Sequence, residues 1–172
     1  MKKQRGYSLM EMLVVVAIIG VLMLVTIPNF INMRKSSIVK GGLRQFTNDL
    51  RAARQRAVTA SSLVRVAYSP GTRIYYIFES SNDGTSWALY GSQNPRYLPE
   101  NVSLENGSGA KAFTDTVADG GLGALPDIVF ERNGVARAPG GDGQVLLKTI
   151  YTDIPKPQYT ISVRTTGMIT TQ

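Results

Sequence analysis

The N-terminal part of the chain is dominated by an apolar run over residues 9–27. Within this run, only Glu11 and Thr26 are clearly polar. A helix that crosses a bilayer needs about 20 predominantly apolar residues, and the run is close to that length. An ionised carboxylate inside such a run costs roughly 2.5–3.5 kcal/mol at the bilayer centre. The pattern therefore predicts a membrane-spanning helix, with a carboxylate near one end that requires an explanation.

A second helical pattern follows over residues 29–62. Its apolar residues recur at alternating intervals of four and three, which places them on one helix face. They are Val39, Leu43, Phe46, Leu50, Ala53, Ala57 and Ala60. Pro28 separates the two patterns and removes one backbone hydrogen bond, so we expect a kink there. The Gly41-Gly42 pair is a weak point of the second segment.

Beyond residue 62 the apolar positions alternate, as they do in β-strands. Runs at 62–68 and 73–79 flank a Ser-Pro-Gly-Thr turn and predict a hairpin. Further strand-like runs lie at 87–90, 102–105, 127–132, 144–151 and 159–171. The glycine- and alanine-rich segment 106–126 is predicted to be a long loop. The predicted fold class is α+β, with a long N-terminal helix, transmembrane in its first half, packed on an antiparallel β-sheet head domain.

The composition narrows the possible chemistry. The 172-residue chain has no Cys and no His, which excludes thiol nucleophiles, histidine bases and metal sites built on these residues. Ser, Lys and Asp occur without a recognisable catalytic spacing, so we predict no enzyme activity, no cofactor and no metal site. The formal charge is +7. Without Lys2, Lys3 and Arg5 it is 7 − 3 = +4, which does not by itself require a nucleic-acid partner.

These three cations precede the apolar run, as they do in secretory signals, signal anchors and transmembrane helices. No small-residue cleavage pattern follows the run, because residues 26–30 read TIPNF. Basic residues beside a spanning helix stay on the cytoplasmic side. The remainder of the chain is therefore expected to face outward.

Residues 5–12, RGYSLMEM, resemble the class III signal of type IV prepilins and pseudopilins. In that family a membrane peptidase cuts after the glycine, on the cytoplasmic side, and methylates the new N-terminus. The resemblance makes Gly6 the last leader residue and Tyr7 the N-methylated first residue, at a position where the family usually has Phe. Pro28 falls where pilins commonly carry a helix-kinking proline.

The same resemblance gives Glu11 a role. In the family this glutamate pairs with the charged N-terminal amine of a neighbouring subunit in the filament. A carboxylate in a low-dielectric setting needs a cation close by, and a cut after Gly6 creates one on Tyr7. The alternative is that Glu11 reaches the headgroup layer and pairs with nothing.

The polar face of the second helical segment is basic. It carries Lys40, Arg44, Arg51, Arg54 and Arg56, with Asp49 as its only acid. Three interpretations stay open: a solvated surface, contact with acidic neighbours in a filament, and contact with DNA phosphates, which would be sensitive to salt. No aromatic stacking platform accompanies these charges, which weakens the case for single-strand binding.

Segments 43–66, 128–135 and 159–169 most resemble the GspH/FimT family of minor pseudopilins and minor pilins. In that family an Ala-Arg-x-x-Ala-type helix end leads into the first strand. Members that bind DNA carry a Gly-Arg turn near the C-terminus, whereas this chain has Gly167-Met168 there. The candidate DNA contacts are Arg51, Arg54, Arg56 and Arg164.

The resemblance implies a leader at 1–6, a transmembrane and filament-core helix at 7–27, an amphipathic helix at 28–62 and a β-rich periplasmic head at 63–172. It implies a single-pass protein of the bacterial inner membrane that enters a pilus or pseudopilus. The expected partners are other pilin or pseudopilin subunits, prepilin peptidase and the membrane. The expected role is to initiate or cap a type IV pilus or a type II secretion pseudopilus. The alternative is a DNA-binding minor pilin for DNA uptake in natural transformation.

Overall fold

The computed structural model describes residues 8–92, 94–107, 125–137 and 143–172. Its first element is a 52-residue helix, α1 (Leu9–Ala60), which contains Pro28 and runs without interruption through both predicted helical segments. The predicted weak point at residues 41–42 does not break it. A kink at Pro28 stays a prediction.

Helix α1 ends two residues before the predicted boundary at 62. Ser61 adopts the left-handed conformation, with φ 48° and ψ 40°. The backbone N–H of Ser62 then donates to the carbonyl oxygen of Ala57 at 3.2 Å. This reversal satisfies a carbonyl at the helix end and sends the chain directly into the first strand.

Ten strands follow within the described residues and form two antiparallel sheets. They are β1 (Leu63–Tyr68), β2 (Ile74–Ser80), β3 (Ala88–Leu89), β4 (Arg96–Tyr97), β5 (Val102–Asn106), β6 (Asp127–Phe130), β7 (Ala136–Arg137), β8 (Gly143–Thr149), β9 (Gln158–Val163) and β10 (Ile169–Thr171). The six-stranded sheet has the order β3-β2-β1-β6-β7, with β4 also pairing with β2. The four-stranded sheet has the order β10-β9-β8-β5.

The predicted fold class is confirmed, since one long helix packs on an antiparallel head. The predicted β1–β2 hairpin is present, and its register runs from Leu63 opposite Ser80 to Tyr68 opposite Tyr75. The division of the head into two sheets, and the short strands β4 and β7, were not predicted. Of the predicted loop at 106–126, residues 108–124 lie outside the described residues.

Backbone hydrogen bonds join the two sheets at two places. Near the β1–β2 turn, the Leu104 N–H donates to the Thr72 carbonyl oxygen at 2.8 Å, and the Gly71 N–H donates to the Leu104 carbonyl oxygen at 2.8 Å. At the other place, the Ala136 N–H donates to the Thr165 carbonyl oxygen at 3.0 Å. The sheets therefore form one head.

The second half of α1 closes the core of this head. Its predicted apolar face is buried at Val39, Phe46, Leu50, Ala53 and Ala57. Two members of the predicted face differ: Leu43 is half-buried, and Ala60 is exposed because the helix ends there and the chain turns away.

Gly42 marks a close approach between α1 and the head. A Cβ atom at this position would lie 3.2 Å from Cδ of Pro99 and 3.5 Å from Cγ1 of Val102. The absence of a side chain thus lets the segment before β5 pack against the helix backbone. Gly42 therefore weakens the isolated helix but allows the folded helix to pack closely against the head.

Candidate functional site

The first half of α1 is an apolar surface without cover. Its described large hydrophobic side chains are exposed from Leu9 to Leu24 and from Ile27 to Met33. It contains an 18-residue window that is apolar enough to cross a membrane, and none of this window is buried inside the structure. Apolar area of this extent is stable only against lipid or another protein.

Glu11 is the single carboxylate on this surface and lies in the first turn of α1. The helix begins after Ser8, whose carbonyl oxygen accepts the backbone N–H groups of Glu11 at 3.0 Å and Met12 at 3.2 Å. No cation of the described residues forms a salt bridge with Glu11. Unpaired helix N–H groups favour a carboxylate at this end. The proposed cleavage residues, Gly6 and Tyr7, lie outside the described residues.

Around Pro28 the helix keeps local polar bonds. The Thr26 hydroxyl donates to the Leu22 carbonyl oxygen at 2.8 Å. Pro28 has no N–H, so the carbonyl of Leu24 has no backbone donor four residues ahead. The proline therefore lies between the uncovered apolar half of α1 and the half that packs in the head.

The buried half of α1 is anchored by an aromatic contact and a polar network. The rings of Phe46 and Tyr75 meet edge to face, with centroids 5.1 Å apart. Asp49 accepts hydrogen bonds from the Tyr75 hydroxyl and the Arg96 guanidinium. Burial, followed by the hydrogen bond to Asp49, raises the pKa of Tyr75. Asp49 therefore turns toward the head and does not neutralise the basic face.

A second ion pair holds α1 against the head nearer to Pro28. Lys35 Nζ lies 2.5 Å from Asp153 Oδ2, in the segment between β8 and β9. The hydrogen bond from Lys35 lowers the pKa of Asp153. Both groups are solvent-accessible, so salt screens the interaction.

Arg54 and Arg56, which are candidate DNA-contact arginines, both contact the head. Arg54 donates from Nε to the Gly134 carbonyl oxygen at 2.9 Å and from Nη2 to the Thr166 carbonyl oxygen at 3.3 Å. Arg56 Nε lies 3.2 Å from Oε1 of Glu79. These two guanidiniums therefore join α1 to different parts of the head, and they do not form one cluster.

The other two candidates lie near the last turn of the chain. Arg51 is exposed and lines a groove of about 480 Å³ together with Arg54, Gln55, Val58, Gly167, Met168 and Ile169. Arg164 is exposed at the start of the β9–β10 turn, where its carbonyl oxygen accepts the Gly167 N–H at 2.8 Å. The structure therefore brings Arg51 and Arg54 to the turn at Gly167.

Sequence reasoning missed a buried ion pair on the far face of β1. Arg65 is 1% exposed, and its Nε lies 2.5 Å from Oδ2 of Asp127 on the neighbouring strand β6. The guanidinium also lies near the rings of Phe78 and Trp87, at 6.0 and 5.8 Å. The available signal was an arginine inside an otherwise apolar strand, together with an aspartate at the start of another.

Comparison with known proteins finds a sequence motif at the N-terminus and similar folds among solved structures. Residues 1–27 match the prokaryotic N-terminal methylation motif. The fold is similar to that of the minor pseudopilin EpsH from the type 2 secretion system of Vibrio cholerae, with a TM-score of 0.55 and 12% identity, covering 78% of this chain and 95% of that one. It is also similar to the Pseudomonas aeruginosa type IV minor pilin FimU, with a TM-score of 0.53 and 12% identity, covering 80% and 90%.

No curated protein matches the sequence at a significant level. At 12% identity the two solved structures show the fold alone. The motif shows that the N-terminus has the sequence pattern of prokaryotic N-terminal methylation. The chain thus has a prepilin-type N-terminus and a pilin-like fold, which confirms the resemblance to type IV pilins and pseudopilins. The motif and the uncovered apolar half of α1 are consistent with membrane anchoring.

Proposed function

We propose that this protein is made as a prepilin, cut between Gly6 and Tyr7 and methylated on Tyr7. Residues 7–27 then anchor it in the bacterial inner membrane, with the head in the periplasm. From there it joins a type IV pilus or a type II secretion pseudopilus, where it initiates or caps the filament. Its partners are other pilin or pseudopilin subunits.

One observation carries this proposal: a single helix, α1, is exposed and apolar in its first half and packed into the head by its second half. A plain membrane anchor needs no such continuity, because a flexible linker would suffice. A rigid connection transmits the position of the apolar half to the head, as a subunit packed in an ordered array requires. Glu11 is then the polar group that a neighbouring N-terminal amine pairs with, since a desolvated carboxylate needs a cation.

The intact mass of the protein recovered from membranes, combined with N-terminal sequencing, tests the proposal. We expect a chain that begins at Tyr7 and carries one added methyl group. Replacing the leader glycine (Gly6→Val) should leave the full-length chain uncut. The control is Gly20→Ala, because a Cβ at Gly20 meets nothing within 4 Å and the change lies within α1, outside the leader. A wild-type chain that begins at Met1 or Lys2 would refute the proposal and leave a plain signal anchor.

The DNA-uptake alternative rests on one favourable observation, the exposure of Arg51 beside the turn at Gly167. Arg54 and Arg56 already have partners in the head. The alternative predicts that the protein in neutral detergent binds duplex DNA with an affinity that falls as salt rises. Absence of binding at low salt would dismiss it without affecting the filament proposal.

A further inference from the structure

A line of unneutralised cations follows the outer side of α1 where it crosses the head. Lys40, Arg44 and Arg51 are exposed, and their spacing of four and seven residues places them on one side of the helix. We call these three residues the basic rail. It extends from Lys40 to Arg51, a rise of about 16 Å along the helix axis. No acid of the described residues forms a salt bridge with any of the three.

The acids of the head are, by contrast, nearly all engaged. Within the described part of the chain, each of the following carboxylates forms a salt bridge with a cation of the same chain: Asp49, Glu79, Asp83, Glu105, Asp127, Glu131 and Asp153. Only Glu11 and Glu100 among the described acids do not. The described surface of a second copy therefore offers few carboxylates for the rail, and charge complementarity favours a different chain.

The rail ends at a groove that is partly apolar. Arg51 belongs both to the rail and to the 480 Å³ groove between α1 and the β9–β10 turn. Val58 and Met168 line this groove and are 48% and 46% exposed. A ligand that complements the whole surface therefore needs negative charges along the rail and an apolar side chain at its end.

We propose that the basic rail and the adjoining groove bind an acidic helical segment of a protein subunit that differs in sequence from this chain. The proposal rests on the proposed function, since it names the chemistry of a neighbour in the filament. A partner helix along α1 can place carboxylates at the rail's own spacing, because the two helices share one rise per residue. It can also place a leucine or similar side chain against Val58 and Met168.

Two other polyanions fit this surface less well. Duplex DNA carries one charge per about 1.7 Å of axis, whereas the rail has three cations over about 16 Å and ends in an apolar groove that phosphates do not complement. When α1 crosses the bilayer along the bilayer normal, the basic rail lies too far from the headgroups to contact anionic lipid. Lys40 then lies 13 residues, or about 20 Å, beyond residue 27, and the headgroup layer is only about 5–8 Å thick.

The test compares two triple variants with the same loss of charge. The rail variant is Lys40→Gln, Arg44→Gln and Arg51→Gln. The control variant is Arg34→Gln, Arg73→Gln and Lys156→Gln, which removes three exposed cations outside the rail. The probe is an alanine-based helical peptide with glutamates at i, i+4 and i+11 and a leucine at i+18. Binding is measured on the full chain in neutral detergent, beside a peptide in which glutamines replace the glutamates.

We expect the rail variant to weaken the dissociation constant of the acidic peptide about tenfold, the effect of three exposed ion pairs of ordinary strength. The control variant should weaken it about twofold or less. The glutamine peptide should bind poorly, and binding of the acidic peptide should fall with added salt.

Equal loss in both variants, or equal binding of the two peptides, would overturn the proposal. So would a rail that instead governs the binding of duplex DNA, of phosphatidylglycerol vesicles or of a second copy of the chain. The mass of the same preparations tests the proposed function separately. Correct cleavage after Gly6 without rail-dependent peptide binding refutes the rail alone, and uncut protein that binds the peptide through the rail refutes the prepilin assignment alone.

Discussion

The guanidinium of Arg54 donates from Nε to the carbonyl oxygen of Gly134 at 2.9 Å, across 80 residues of sequence. Its Nη2 also reaches the carbonyl oxygen of Thr166. One side chain of α1 therefore holds the turn that follows β6 and the turn that precedes β10. These turns come from different sheets, so Arg54 joins the helix and both sheets at one point.

We expect Arg54→Met to lower the free energy of unfolding by about 1–2 kcal/mol, because two backbone carbonyls lose charged donors while the aliphatic stem is kept. Denaturant unfolding of the full chain in neutral detergent measures this. Arg51→Met is the control, since Arg51 lies one turn earlier and is exposed. An equal loss in both variants would argue against the bridging role of Arg54.

Gly167→Ala should destabilise the head by about 3 kcal/mol or more. Gly167 has φ +76°, and a Cβ there would lie 2.0 Å from the Gly134 carbonyl oxygen and 2.6 Å from Arg54 Nε. Gly71→Ala is a matched control with φ +75° and nothing within 4 Å. Gly71→Ala introduces backbone strain without a collision and should lower the free energy of unfolding by about 1–2 kcal/mol. Thermal and denaturant unfolding of the two variants separate strain from collision, and similar losses would contradict the close packing at Gly167.

Tyr75 should make the head sensitive to alkaline pH. Its pKa is raised in the folded chain, mainly by burial and then by the hydrogen bond to Asp49. Folding therefore favours the protonated form of Tyr75. Its contribution to the free energy of unfolding is complete below the ordinary tyrosine pKa of about 10 and is lost as the pH rises above that value. Tyr75→Phe should lower stability by about 1 kcal/mol at neutral pH and flatten the alkaline decline. Tyr97→Phe, at an exposed tyrosine, should leave the decline unchanged, and a decline unaltered by Tyr75→Phe would refute the assignment.

Asp127→Asn should lower the free energy of unfolding by about 3–5 kcal/mol, because the buried guanidinium of Arg65 loses this carboxylate. The double variant Arg65→Met with Asp127→Leu should be less unstable than the single one, since no charge is then left buried. Glu131→Gln breaks the more exposed pair with Arg137 and should cost at most about 1 kcal/mol. If the single and double variants are equally unstable, packing and not charge is what these positions contribute.

Glu11→Ala should leave membrane insertion intact and impair assembly. Insertion depends on the apolar length of α1, which the change preserves, whereas assembly by the proposed pairing needs the carboxylate. The fraction of protein in sheared filaments is compared with the fraction in membranes, and Thr26→Ala in the same apolar run serves as the control. Normal assembly of the Glu11 variant would exclude the pairing with a neighbouring amine.

Much of the helix could be predicted from local pattern alone. The apolar run at 9–27 and the spacing from Val39 to Ala57 follow from the periodicity of one element, so the exposed and buried halves of α1 are both readable. The β1–β2 hairpin was predicted for the same reason, since its strands are joined by a short turn with a clear signal.

The basic face of α1 shows the limit of such reasoning. Periodicity placed Arg51, Arg54 and Arg56 on the polar side of the helix, but the partners of Arg54 and Arg56 lie far along the chain. Gly134 comes close to Arg54, and Glu79 to Arg56, only when the sheets assemble against the helix. The position of a charged residue on the polar face of an isolated helix therefore does not show whether that residue binds to the folded head.

The sequence by itself determined the prepilin-type N-terminus, the single long helix and the antiparallel character of the head, because each depends on residues close together in the chain. The tertiary structure decided the division into two sheets, the burial of Arg65 with Asp127, the three-way contact at Arg54 and the isolation of the basic rail. These depend on pairing between distant segments, whose register is fixed by packing of the complete core and leaves no local signature.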